Sequence, residues 1–248
     1  MSDNKDNTGK DLSTVIDRER TVLDILWHQD EPCYGQADDL LKEALVLAGS
    51  HWYKAVLLQR AAKLYRLQGK LDEAHQLLLE GLQIAEEKLG LLDARTCRLR
   101  EKLRRLLDRK WRNPPFYSAT EARERIEQYY KPLIARVGEA QPAVAAALKC
   151  ELAGYYRETK EWHEDARRLY HEVLGTLEDA GPEIGTTWAA AAAKDLGHIY
   201  YDRDDCRRAH EFYSIALRWY GTKADVSNWL AARIDECAKE LEGEPMSS

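Results

Sequence analysis

No stretch of this 248-residue chain approaches the roughly 20 consecutive apolar residues that a helix needs to cross a bilayer, which excludes a membrane-spanning reading. The opening residues, MSDNKDNTGKDLS, lack the apolar core of a secretory signal, so a cytoplasmic protein is expected. Glycine (14) and proline (7) are sparse while alanine, leucine, glutamate and arginine dominate, a composition that sets aside an all-β chain and favours helix. The five cysteines, Cys33, Cys97, Cys150, Cys206 and Cys237, are odd in number and scattered, with no CxxC pair. Neither a disulfide framework nor a zinc knuckle follows from them, and buried or partly buried thiols are expected.

Reaction chemistry is also missing. There is no GxxxxGK[ST], no GxGxxG after a strand, no GxSxG and no Cys/His nucleophile arrangement. Three His-Glu pairs, His163-Glu164, His171-Glu172 and His210-Glu211, invite comparison with metal-dependent hydrolases. Such a site needs a second histidine four residues after the first, and Arg167, Gly175 and Ser214 stand there. The expectation is a non-enzyme with no cofactor and no metal.

What is present is a phrase written twice. Ala62, Tyr65, Gly69, Ala74, Leu78 and Gly81 are echoed by Leu196, Gly197, Tyr200, Ala209, Tyr213 and Ala216, with nine residues from tyrosine to alanine in both copies. The intervals of three and four follow the helical period, and the small residues let two helix backbones approach closely. A third copy sets Leu152, Ala153, Tyr156 and Trp162 before Ala166, Tyr170 and Val173, with a turn one residue longer. Spacing places two more helix pairs, at 13–29 with 35–48 and at 93–111 with 118–137.

These units resemble the tetratricopeptide repeat, whose pattern asks for a Leu-Gly pair, an aromatic three residues later, and then an Ala, aromatic, Ala series. The anchors Ala37, Ala74, Ala122, Ala166 and Ala209 are 37, 48, 44 and 43 residues apart, longer than the standard repeat, and GLQIAEEKLG at 81–90 is similar to the long repeats of kinesin light chains. The resemblance implies an all-α fold: a right-handed superhelical solenoid of antiparallel helix pairs, with about five repeats at 13–50, 51–91, 92–138, 142–181 and 186–221. A capping helix at 224–242, with Val226, Leu230, Ile234, Cys237 and Leu241 on one side, would close a single domain spanning 13–242, with loose tails at 1–12 and 243–248. Pro132 should kink its helix.

In that family the first helix of each repeat faces the partner, so the resemblance marks Gln59, Arg60, Lys63, Arg66, Glu151, Gly154, Arg157, Glu158, Lys194, Asp195, His198, Tyr201 and Asp202 as groove residues. The asparagines with which kinesin light chains grip a peptide backbone are replaced here by Arg60, Glu151 and Asp195. The carboxylate clamp of chaperone-binding relatives is not assembled either.

Charge gives a second candidate. Along DARTCRLREKLRRLLDRKWR nine basic residues meet three acidic ones, in a chain whose net charge is -6. Arg95, Arg98, Lys102, Arg105 and Arg109 form one stripe, opposite Leu99, Leu103 and Leu106. The stripe reads either as a solvated face or as a grip for an acidic protein segment or a phosphate backbone. Beside it, WRNPPFYS carries Trp111, Phe116 and Tyr117 on a proline-stiffened connection, for which packing onto the repeat's own core is weighed against partner contact. The functional expectation is a protein-protein interaction scaffold or adaptor, chaperone-like in holding a partner peptide or helix in its groove, with polyanion or nucleic-acid binding through 95–109 as the alternative.

Overall fold

The computed structural model describes residues 7–28, 33–107, 117–138, 140–178, 182–220 and 224–243. Among them the chain forms eleven α-helices and one 3-10 turn, and no strand. The helices are α1 (Asn7–His28), α2 (Tyr34–Ala48), α3 (Lys54–Leu67), α4 (Leu71–Leu89), α5 (Ala94–Leu107), α6 (Ala119–Gly138), α7 (Pro142–Arg157), α8 (His163–Glu178), α9 (Pro182–Tyr201), α10 (Cys206–Tyr220) and α11 (Ala224–Gly243). Two compact units divide them, Met1–Ala122 and Arg123–Ser248, with the boundary inside α6.

In the first unit α1 packs on α2, α2 on α3, α3 on α4 and α4 on α5, and α1 also reaches α3. In the second, α7 packs on α8, α8 on α9, α9 on α10 and α10 on α11, and α7 reaches α9. Contact with the next helix and with the next but one is the pattern of stacked helix pairs, each of which covers an apolar face that its neighbour cannot cover alone. The alanine anchors sit at these crossings: Ala37, Ala74, Ala166 and Ala209 are 0% exposed and Ala122 is 1%. Gly81 serves the same end, since a Cβ there would lie 3.3 Å from the carbonyl oxygen of Ala55 on α3.

The two copies of the sequence phrase turn in the same way. After α3 the amide of Lys70 donates to the carbonyl of Tyr65 at 2.9 Å, and after α9 the amide of Asp205 donates to that of Tyr200 at 3.0 Å. Such closing bonds require a left-handed residue just before the donor. Gly69 (φ +77°) supplies it in one turn and Asp204 (φ +60°) in the other. In the third copy the extra residue is taken up by a 3-10 turn, Lys160–Trp162, ahead of α8.

Several sequence boundaries shift. The loose tail expected through residue 12 is helical from Asn7 onward. Pro132 lies inside α6, which is continuous from Ala119 to Gly138. Its N-terminus is a capping box in which the Ser118 amide donates to Glu121 at 2.8 Å and the Glu121 amide donates to the Ser118 hydroxyl at 3.1 Å. On the expected capping helix, Leu230 and Cys237 of α11 are fully buried, while Trp229 meets the Tyr213 ring of α10 edge-on at 5.7 Å. Cys150, Cys206 and Cys237 are buried and Cys33 and Cys97 half-buried, all as free thiols. Residues 244–248 and the connection carrying Arg109, Trp111 and Phe116 lie outside the described residues.

Candidate binding cleft

α3 and α5 flank α4, and both turn cationic side chains toward the space above it. Gln59, Lys63 and Arg66 are four and three residues apart on α3, with Arg60 beside them, so they share a face. Arg95, Arg98, Lys102 and Arg105 share a face of α5, and the buried Leu99, Leu103 and Leu106 adjoin that face rather than lying opposite it, since Leu99 and Leu106 line the same cavities as the cations. Two adjoining cavities of about 440 and 390 Å³ lie between these faces, and both are lined by Gln59, Arg60, Lys102 and Arg105. Leu78, near the middle of α4, lines the first, and Ala85 and Leu89, toward its C-terminal end, line the second. Groove residues of one repeat and the basic stripe of the next, two separate features in the sequence, are one cleft in the first unit.

Some of its cations are fixed and some are not. Arg60 donates from Nε to Glu19 at 2.8 Å, and the Tyr53 hydroxyl donates to the same buried carboxylate. Arg95 pairs with Asp93 at 3.0 Å and lies over the Trp52 ring at 4.5 Å from its centroid. Arg105 pairs with Glu101 at 2.7 Å. Among the described residues no ion pair reaches Arg66, Arg98 or Lys102. Burial, followed by the charges of Arg66, Arg60 and Lys102, lowers the pKa of Lys63 below the ordinary lysine value. Burial disfavours the charged ammonium first, and the neighbouring cations add to it.

One basic residue of this helix faces elsewhere. Arg100, 1% exposed, donates to the Leu91 carbonyl at 2.8 Å. Its position one residue after Leu99 and three before Leu103, on the apolar side of α5, is a signal that the helical period contains. Glu19 and Trp52, which hold Arg60 and Arg95, have no comparable signal because they come from elsewhere in the chain. Tyr117 is buried at 9% exposure with its hydroxyl donating to Asp72 at 3.1 Å, so it packs within its own unit.

The groove residues of the second unit behave differently. Arg157 pairs with Asp195 at 3.6 Å and Lys194 pairs with it at 3.7 Å, while the Tyr170 hydroxyl donates to Asp195 at 2.9 Å. Glu151 accepts from the Tyr130 hydroxyl at 2.9 Å, and Gly154 lies against the Tyr170 hydroxyl. Glu158 lies 3.7 Å from Arg157, and Asp202 is exposed at the end of α9. His198 stacks obliquely on Trp229 at 5.1 Å, and its Nδ1 is 3.3 Å from the Tyr213 hydroxyl. Burial foremost pushes its pKa below the ordinary histidine value. Tyr201 donates to Glu236 of α11 at 2.9 Å. In this unit the charged groove residues have charged or hydroxyl partners nearby, whereas in the first unit Arg66, Arg98 and Lys102 meet no ion pair among the described residues.

Of the three His-Glu pairs, His163 is buried with Nε2 2.9 Å from the Arg157 carbonyl, and His171 has Nε2 3.2 Å from the Tyr200 hydroxyl. Both are packing groups. Among the described residues no group of three or more His, Cys, Asp and Glu is gathered for a metal, and no helix is long and apolar enough to cross a membrane.

Fold and cleft together define an all-α helical-repeat protein with a cationic cleft between the first helices of two successive pairs. No family model matches the chain. No curated protein matches it either. Among solved structures it is similar to the crystal structure of BtubC (BKLC) from P. vanneervenii, at 14% identity over 99% of this chain and 96% of that one, with a TM-score of 0.44.

Proposed function

We propose that this chain is a non-catalytic interaction scaffold, a cytosolic adaptor that holds a segment of a partner protein against the exposed faces of its helix pairs. The observation that carries the reading is the cleft over α4, where Arg66, Arg98 and Lys102 have no ionic partner among the described residues. Stacked helix pairs supply rigid, regularly spaced side chains, which is what a docking surface needs. Holding a partner segment in a chaperone-like manner is part of the same reading. Fold alone does not assign a partner, so the experiment must supply one.

The same cations favour a second reading, in which Arg95, Arg98, Lys102 and Arg105 contact the phosphates of a nucleic acid or another polyanion. Affinity capture from native cytosol at low and high salt, with mass spectrometry of bound protein and nuclease treatment of bound nucleic acid, separates the two. A defined protein retained after nuclease treatment supports the scaffold. Retention of nucleic acid alone, lost steeply as salt rises, supports the polyanion reading and removes the first.

A further inference from the structure

Two of the five cysteines, far apart in the chain, meet where α10 packs on α11. Cys206 opens α10, while Cys237 and Glu240 lie three residues apart on α11 and so share a face, and the Cys206 thiol donates to the Glu240 carboxylate. The Cys237 thiol has Cys206 as a hydrogen-bonding neighbour. Cys237 is 0% exposed and Cys206 9%, so a small reagent arriving from solvent reaches Cys206 first. Other thiols keep different company: Cys150 donates to the Trp188 carbonyl at 3.7 Å, and Cys97 accepts a hydrogen bond from Arg100 at 3.3 Å. A disulfide needs Cβ atoms about 4 Å apart, a spacing that only side chains in contact provide.

The start of a helix ordinarily favours a thiolate, because free amides and the helix dipole stabilise negative charge there. Carboxylates oppose that effect at Cys206. The hydrogen bond to Glu240, followed by burial, pushes its thiol up to about 12, and Asp204 adds in the same direction. Burial, then Glu240 and Glu236, push the Cys237 thiol up as well, with Cys206 and Arg233 acting against them. A thiol that keeps its proton is a slow nucleophile, so the pair stays reduced until an oxidant forces it. Glu240 acts as the brake, since it is both the acceptor of the Cys206 proton and the nearest negative charge.

We propose that Cys206 and Cys237 form a thiol-oxidation site, at which hydrogen peroxide converts the pair to an intramolecular disulfide that ties α11 to α10, with Glu240 restraining the reaction. The Cys206 sulfur attacks one peroxide oxygen, the O–O bond breaks, and the thiol proton leaves with the departing hydroxide as water, which makes Cys206 a sulfenic acid. The Cys237 sulfur then attacks the sulfenic sulfur and displaces its hydroxyl, which leaves with the Cys237 proton as a second water. The two thiols give up two electrons and the peroxide takes them. The effect is mechanical. Tyr201 of α9 donates to Glu236 of α11, and His198 of α9 lies against Trp229 of α11, at the end of a stacked array, where helices open most readily. A covalent tie at Cys237, beside Glu236, keeps α11 on these groups. The site is independent of what the scaffold holds.

The test uses the full chain, reduced, freed of reductant, exposed to hydrogen peroxide, then alkylated and digested with trypsin for mass spectrometry. Expected is a link between the peptides Asp204–Arg207 and Ile234–Lys239, formed within one chain. Oxidised Cys237→Ser should instead leave Cys206 as a sulfenic acid that dimedone traps, and Cys237→Ala serves if circular dichroism shows that the serine variant does not fold. Glu240→Gln, which removes the charge that holds the Cys206 proton, should form the link roughly threefold faster or more. Hydrogen exchange in α11 should slow roughly tenfold or more on oxidation of the wild type and stay unchanged in Cys206→Ser. Chain unfolded in urea and oxidised alongside shows that the linked peptides are detectable, so an empty result with folded chain counts against the site. No link, a link to other cysteines or between two chains in its place, a slower reaction in Glu240→Gln, or a link that leaves α11 exchange unchanged overturns the proposal.

Discussion

A Cβ placed on Gly197 of α9 would stand 2.5 Å from the Cδ1 and Cε1 atoms of Tyr213 on α10. The ring is in close contact with the glycine, and His198 and Trp229 meet it edge-on at 5.6 and 5.7 Å. The ring therefore has little room to retreat. Gly154, on α7, is the opposite case: a Cβ there meets only the Tyr170 hydroxyl, at 3.6 Å.

Gly197→Ala is accordingly expected to destabilise the protein by about 1–3 kcal/mol, the usual range for forcing an extra methyl into a packed crossing. Gly154→Ala is expected to be neutral or stabilising by up to about 1 kcal/mol, since alanine is the better helix former. Urea unfolding of both variants checks the pair. Equal effects at the two sites would show that helix propensity, and not the Tyr213 contact, governs them.

Asp204 occupies with φ +60° the turn position that Gly69 occupies with φ +77° in the other copy. A left-handed non-glycine residue is strained by about 1–2 kcal/mol, while glycine costs about 0.5–1 kcal/mol in chain entropy. Asp204→Gly should thus stabilise by about 0.5 kcal/mol, and Gly69→Ala should destabilise by about 1 kcal/mol. Thermal melts of the two single variants moving in opposite directions is the expected result.

Glu127 of α6 is held at a pKa of about 2, below its ordinary 4.5; burial pushes it up, but hydrogen bonds from Lys131, Tyr156 and Arg123 outweigh it. With the folded pKa depressed, its contribution to stability is complete above pH 4.5 and is lost as pH falls toward 2. Replacing the charge by Glu127→Gln should lower stability at neutral pH and narrow the gap to the wild type across that window. Asp93, held near 2 chiefly by Arg95, titrates in the same range, so the difference between variant and wild type is the informative curve. A difference that does not shrink with acidity would refute the assignment.

Glu19 is 6% exposed and accepts from both Arg60 and Tyr53. Truncation to alanine strands a half-buried guanidinium and a phenol, and is expected to cost about 1–3 kcal/mol. The Tyr53 phenol, pushed up to about 12 by burial and then by Glu19, should ionise at lower pH in Glu19→Gln. Ultraviolet difference titration against the wild type reads that change directly.

The helices were legible because their signals are local. Tyr65 and Tyr200, Ala74 and Ala209, and the 3.6-residue spacing between such positions state where a helix runs and which side it hides. Among the described residues, helices at Asn7–His28, Tyr34–Ala48, Ala94–Leu107 and Ala119–Gly138 overlap the two pairs expected from spacing at 13–48 and 93–137. The start of α1 was not legible, because Asn7–Asp11 carry no apolar side chain and no apolar period marks them as helix. The cleft was legible only in pieces. Its α3 wall came from a repeat resemblance and its α5 wall from a run of charge, and nothing in either states that they face one another across α4.

By itself the sequence determined the class of fold, the helix pairs and the polarity of each helix face, since backbone hydrogen bonding and apolar periodicity act over a few residues. Which charges remain uncompensated was decided by tertiary structure alone. Asp195 neutralises Arg157 across 38 residues and Glu19 anchors Arg60 across 41, while Arg66, Arg98 and Lys102 meet no such partner among the described residues. Coulomb attraction depends on distance in space, and only the packing of the helices sets that distance.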